Sequence, residues 1–146
     1  KAPFSPIMQE HLTNYTNNGG RLLISGSYVG SEMNSPEEVI FTENILKYTY
    51  GGSLKNITTG EVQGAGSTYK FPIHPNEKTY AVPAPDCLLP VNGAYSTFIY
   101  TPGNYSAAIA YKDDKYRTFV FGFPLESIVG EEKRTRIMKA ILGFFE

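Results

Sequence analysis

The stretch YSAAIAYKDDKYRTFVFGF, residues 105–123, constrains this chain more than any other. Two apolar, β-rich runs flank Asp113-Asp114, and short polar residues of that kind form the tight turns that reverse a strand. The stretch therefore predicts a β-hairpin. Its second run, TFVFGF, is apolar enough to lie in the centre of a sheet. With 146 residues, the chain is the size of one ordinary domain and can bury a core without covalent staples.

Helical signals lie around this hairpin. Ser5-Pro6 is a good helix start, because the serine oxygen caps and a proline at the first position gives up no needed N–H. Ile7, Met8, Leu12 and Tyr15 then fall near one face, and NNGG at 17–20 stops the helix. RLLIS follows as a short apolar run, read as a strand buried on both faces. SPEE at 35–38 is a capping box. The next residues favour helix through about Tyr50, with a break near Phe41-Thr42 and a stop at Gly51-Gly52. At the far end, Ile137, Met138, Ile141, Leu142 and Phe144 or Phe145 make the apolar stripe of a closing amphipathic helix. Glu131 and Glu132 sit where its N-terminal dipole favours negative charge.

The middle, residues 53–103, is rich in Gly, Pro, Thr and Tyr and has little helical period. GEVQGAGS (60–67), KTYAV (78–82) and AYSTFIYT (94–101) read as strands. VPAPDCLLPV (82–91) carries three prolines in ten residues and reads as an extended loop. With no linker long enough to divide the chain, residues 1–146 are expected to form a single α/β domain belonging to a longer protein. Helices at both ends and in the first third, with strands between, predict a three-layer mixed sheet with flanking helices. The chain opens on a helix where a doubly wound fold opens on a strand, so the first strands of such a fold are expected to be missing.

Composition excludes several functions. Net charge is −1 with Lys and Arg scattered, which leaves no basic stripe for nucleic acid. No apolar run approaches membrane-spanning length. One cysteine, Cys87, and two histidines, His11 and His74, provide neither a disulfide nor a thiolate metal cluster. No metal or other cofactor is expected. The opening KAPFSPIMQE has neither an initiator Met nor the apolar core of a signal peptide, and reads as trimmed material. Eleven Tyr and fourteen Gly beside 18% charged residues give a polar, uncharged flavour associated with exported bacterial proteins. The expected localisation is secreted, periplasmic or cell-surface.

Two stretches carry a family resemblance. YTNNGGRLLISGSYVGSE resembles the segment of class I glutamine amidotransferase-like domains in which a central strand leads to the nucleophile. RTFVFGFPLESIVGEEKRTRIMKAILGFF is similar to their last strand and closing helix. Among such domains the nearest are non-catalytic ones in secreted bacterial proteins labelled xanthan lyase. The resemblance implies a flavodoxin- or Rossmann-like sheet and covers about two thirds of such a domain. It places Ser27 where the family has its nucleophilic Cys and Glu126 where it has an acid. Pro124 or Leu125 stands in place of the catalytic His. A serine hydroxyl without an adjacent base is a poor nucleophile, and SGSYV lacks the flanking glycines of a G-x-S-x-G elbow.

Ser27 therefore reads first as a turn-former and only secondarily as a catalytic residue. The other weak catalytic candidates are Glu126 and His74; the latter, in FPIHPNEKTY, reads first as a solvated loop residue. Ser27, Tyr28, Glu32 and Asp86 are the ligand-binding candidates, because ligands of open α/β sheets sit at the carboxyl ends of strands. Asp86 alternatively caps its own loop, and Cys87 reads as a small buried hydrophobe. Glu32 and Asp86 are also the partners available to Glu126 for paired-carboxylate glycoside hydrolysis. Tyr69, Phe71, Tyr80, Tyr95, Phe98 and Tyr100 offer flat rings for sugar stacking, but core packing is the commoner role of aromatics in alternating strands.

The expected function is a non-catalytic accessory or scaffolding domain of a larger exported carbohydrate-processing protein, itself a polysaccharide lyase or hydrolase. Its expected partners are the other domains of that protein and polysaccharide. The alternatives are a hydrolase or lyase using Ser27, and a sugar-binding module using surface aromatics.

Overall fold

The Asp113 turn organises the dominant sheet. In the computed structural model, which describes residues 2–74 and 81–146, strands β7 (Tyr105–Lys112) and β8 (Arg117–Phe121) pair antiparallel up to Lys112 opposite Arg117. The Asp113 carboxylate accepts the amides of Lys115 (2.7 Å) and Tyr116 (2.8 Å), satisfying turn donors that the ladder leaves free. On one side β7 continues antiparallel into β6 (Tyr95–Tyr100), then β3 (Gly60–Gly64) and β4 (Ser67–Phe71). On the other side β8 pairs in parallel with β1 (Arg21–Ser25), giving the order β1-β8-β7-β6-β3-β4. A separate antiparallel pair joins β2 (Tyr48–Ser53) to β5 (Asp86–Pro90).

Helix α1 (Pro6–Asn17) is capped by Ser5, with Pro at the start. Helix α2 (Pro36–Phe41) carries the full capping box of Ser35 and Glu38 and runs into a π-helical stretch, Thr42–Leu46. Helix α3 (Glu131–Phe145) closes the chain.

Strand alternation divides the apolar side chains between two clusters. Phe119 and Phe121 pack with Tyr69, Phe71, Phe98, Tyr100 and Phe123, and with Ile137 and Ile141 of α3. Ring centroids there approach to 5.1 Å for Phe71–Phe123 and 5.2 Å for Phe98–Phe121, contacts that add about 1 kcal/mol each beyond area burial. Ile109 and Val120 belong to the second cluster, with Phe4, Phe41, Leu46, Tyr48 and Leu88.

This arrangement corrects the three-layer, flavodoxin- or Rossmann-like expectation. Such folds need parallel strands joined by crossover helices. Here, among the described residues, β1–β8 is the one parallel ladder of the large sheet and its other four are antiparallel. The result is a curled, sheet-rich, half-barrel-like mixed sheet with few helices.

Local expectations change with it. β1 lies at a sheet edge and not at its centre, so only Ile24 of its five residues is buried. Lys47 takes a left-handed conformation (φ 69°) that ends the helix, and Tyr48, Thr49 and Tyr50, expected as its tail, instead open strand β2, which runs on through the expected stop at Gly51-Gly52. The proline-rich stretch holds strand β5, because its prolines fall before it and at its last position, where no interior ladder donor is lost. Of the residues expected near one face of α1, Ile7, Met8 and Tyr15 are exposed while Leu12 packs partly against the core; Phe4, just before the helix, takes the core position against Phe41. Most of the 78–82 strand expectation lies outside the described residues.

Candidate functional site

β1 ends at Ser25, and the next residues turn sharply. The left-handed residue of this turn is Tyr28 (φ 65°), not Ser27. The Tyr28 carbonyl accepts the Glu32 amide at 3.1 Å, and the Tyr28 ring is left exposed. Bulky residues rarely hold this conformation unless their surroundings impose it. Asp86 pins the next part of the same turn, at Gly30 and Ser31.

Asp86 opens β5 and is 1% exposed. Its Oδ2 accepts the backbone amides of Gly30 (3.0 Å) and Ser31 (2.9 Å) and the Ser31 hydroxyl (3.1 Å). Its Oδ1 accepts the Ser53 hydroxyl (2.8 Å), and Ser53 in turn takes the proton of Tyr50 OH, 2.5 Å away. Four donors on one carboxylate satisfy its lone pairs without a cation. The Asp86 backbone is fixed as well: its amide donates to Gly122 O (3.0 Å) and its carbonyl accepts Tyr100 OH (2.7 Å). A Cβ on Gly122 would fall 2.1 Å from the Asp86 carbonyl oxygen, so glycine is required at that approach.

The buried network sets the ionisation of its neighbours. Burial, and then the Asp86 charge, pushes the Cys87 thiol up to about 11. Burial and Asp86 likewise hold the Tyr48 phenol well above its ordinary value. The Tyr100 phenol is raised by burial first, with Cys87 and Asp86 adding to it. All three groups stay protonated near neutrality, and Cys87 is not a nucleophile in this setting.

The structure brings Ser27 and Tyr28 together in a crevice of about 50 Å³ beside Val82, Pro83, Pro85 and Gly122. Asp86 lies directly behind that wall, turned inward to its donors. Among the described residues, no side chain hydrogen-bonds to the Ser27 hydroxyl, and Ser27 is exposed. The serine bound at the strand end is Ser25, whose Oγ accepts Leu125 N (2.7 Å) and donates to Phe123 O (3.3 Å). Glu126, on a single 3-10 turn, lines a different groove with Leu125, Arg134, Ile137 and Met138. Glu32 and His74 are exposed, His74 at the border of the described residues. No group of three or more His, Cys, Asp or Glu with metal-holding geometry occurs among the described residues.

Four of the six rings offered for sugar stacking, Tyr69, Phe71, Phe98 and Tyr100, are buried; Tyr95 is exposed and Tyr80 lies outside the described residues. The network partners Gly30, Ser31, Tyr50, Ser53 and Gly122 went unnoticed in the sequence. No local signal marks them, since they lie 33 to 56 residues from Asp86 along the chain or meet it across strands.

Solved structures of three carbohydrate-active enzymes share this fold. Gan42B, a GH42 β-galactosidase from G. stearothermophilus, superposes with a TM-score of 0.65 at 10% identity, covering 97% of this chain and 20% of that one. The polyextremophilic β-galactosidase from Halorubrum lacusprofundi gives 0.61 at 12% identity, covering 95% and 20%. Op5Man5, an exo-β-1,4-mannosidase from an Opitutaceae bacterium, gives 0.59 at 10% identity, covering 97% and 23%. The chain thus spans about a fifth of the length of the structures it matches, and at this identity the likeness is one of fold. No protein-family model matches the chain, and no curated protein does.

These findings overturn the resemblance to glutamine amidotransferase-like domains and to proteins labelled xanthan lyase. The fold is that of segments of GH42 β-galactosidases and a mannosidase. The two stretches that carried the resemblance are a helix–strand–turn unit and a strand–helix unit. Both are common to many folds, and the antiparallel ladder between them is what distinguishes this one.

Proposed function

We propose that this chain is an accessory or scaffolding domain, without catalysis of its own, of a larger exported carbohydrate-processing protein. The carrying observation is the chemistry of the strand tip. The exposed Ser27 hydroxyl has neither imidazole nor carboxylate beside it among the described residues, and the nearby Asp86 is committed to four protein donors. A hydroxyl without a base does not attack an ester or glycosidic centre at useful rates. The carbohydrate setting is supported by the shared fold, which forms about a fifth of two β-galactosidases and an exo-mannosidase. The partners in this reading are the remaining domains of the same protein. No helix of the described residues is long and apolar enough to cross a membrane.

The test is direct. The 146-residue chain is incubated with aryl β-galactosides and β-mannosides and, separately, with a fluorophosphonate probe. The expected result is no turnover and no adduct. Labelling at Ser27 that is lost in Ser27→Ala, together with turnover, overturns the reading in favour of a serine hydrolase.

A further inference from the structure

We propose that the cleft between α2 and β2 binds one pyranose unit of a neutral saccharide. This deepens the carbohydrate reading above and rests on it. The cleft encloses about 210 Å³ and is walled by the loop after β1, the π-helical stretch and β2, with Gly30, Asn34, Glu43, Tyr48, Thr49 and Tyr50 among its lining. That volume is below the range of drug-sized pockets and suits a single six-membered ring.

Its walls are already fixed. Gly30 is held by Asp86, Tyr48 OH donates to Val29 O at 2.6 Å, and Tyr50 OH is bound to Ser53. The Tyr50 ring lies so close to Gly30 that a Cβ there would stand 2.9 Å from it. A pre-formed cleft spends little binding energy on ordering itself. The π-helical stretch shapes one wall, and such stretches are frequent at functional sites.

The chemistry left unused at the cleft is that of a polyol site. Glu43 is half-buried, and its carboxylate has no hydrogen-bond or ionic partner among the described residues. The half-buried Thr49 hydroxyl has none either. A carboxylate accepts from vicinal hydroxyls, a threonine hydroxyl donates and accepts, and Asn34, whose Nδ2 donates to Ser31 O at 3.3 Å, adds an amide oxygen. Tyr50, 43% exposed, offers a ring face to the C–H face of a sugar. Among the described residues no Lys or Arg lines the cleft, so an anionic sugar meets repulsion from Glu43. One carboxylate is too few ligands for a cation such as calcium.

The experiment is a 15N-edited NMR titration of this chain with methyl β-galactopyranoside, methyl β-mannopyranoside and, as the anionic control, methyl β-glucuronide. Expected are saturable shifts of the Asn34, Glu43, Thr49 and Tyr50 amides with at least one neutral glycoside and much weaker ones with the glucuronide. Glu43→Gln and Thr49→Val, which remove no contact of the fold, each weaken binding about fivefold with unchanged melting temperature. The cleft proposal is overturned by the absence of shifts up to roughly 0.1 M neutral glycoside, by shifts confined elsewhere such as Tyr95, or by binding indifferent to both variants. If shifts and turnover are both absent, the cleft fails while the scaffolding reading stands. Turnover of aryl glycosides sinks the scaffolding reading whatever the cleft does.

Discussion

Arg21 and Arg117 stand opposite one another across the parallel β1–β8 ladder, and both reach the same helix end. Arg21 Nε donates to Phe145 O at 3.0 Å and Arg117 Nη1 to Phe144 O at 2.7 Å. Together they satisfy last-turn carbonyls of α3 that have no partner within the helix, and they place positive charge at the negative end of its dipole. The last turn of α3 is thereby tied to the two strands its apolar face covers. Arg117→Ala is expected to destabilise the fold by about 1 kcal/mol, and Arg21→Ala, at the more exposed strand, by less. Urea unfolding at low and high salt checks this, with the difference between variant and parent shrinking as salt rises.

Asp86→Asn keeps the shape of the side chain but turns one oxygen into a donor facing donors. The variant is expected to lose about 2–4 kcal/mol and to free the turn at residues 26–34 selectively. Hydrogen exchange is the measurement: the Gly30 and Ser31 amides should lose protection ahead of the β7–β8 ladder. Uniform loss across the sheet would show that Asp86 is not a local pin.

Gly122→Ala forces a methyl group against the Asp86 carbonyl, with backbone on both sides and little freedom to move. The expected cost is about 3 kcal/mol, at the upper end for overpacking. Circular dichroism melting of the soluble fraction reads it. A neutral substitution would mean that the β8–β5 approach is looser than 2.1 Å from a built Cβ allows.

Cys87 is expected to resist alkylation at pH 8, since burial and the Asp86 charge raise its thiol to about 11. The iodoacetamide reaction should follow the rate of unfolding and accelerate with denaturant. Prompt labelling of the native chain would contradict the buried network.

The pH dependence has a defined sign at the α2 cap. The Ser35 side chain, then its backbone, holds the Glu38 carboxyl below its ordinary 4.5. A carboxyl depressed in the folded state stabilises above its unfolded value, and that contribution is lost as pH falls through the folded one. The difference between the parent and Glu38→Gln should therefore be present at pH 6 and fade below about pH 4. A difference independent of pH would assign the effect of the substitution to something other than charge.

Sequence alone went furthest where structure is local. The Ser5 and Ser35 caps, the Asp113 hairpin and the closing helix depend on residues within a few positions of one another, and each occurs where its chemistry requires. Reading failed where the partner is distant. RLLIS looks central because its apolar run is dense, yet an edge strand half-covered by neighbours shows the same pattern. Three prolines hid β5, whose interior residues are Cys87, Leu88 and Leu89. The sites divide in the same way. Ser27 drew notice because it follows a strand, whereas Asp86 acts through donors from loops far along the chain. The Glu43–Thr49–Tyr50 cleft depends on a helix running unexpectedly into a strand.

The parallel pairing of β1 with β8 has a consequence for synthesis. β1 is finished by residue 25, but its one ladder partner begins at residue 117, and the carboxylate that locks the turn after it arrives only at residue 86. On the ribosome the first quarter of the chain therefore waits, its strand edge open and its turn unclaimed, until the final hairpin emerges. The β1–β8 pairing spans the longest stretch of sequence of any ladder described, and bringing such distant strands together costs loop-closure entropy before the contact repays it.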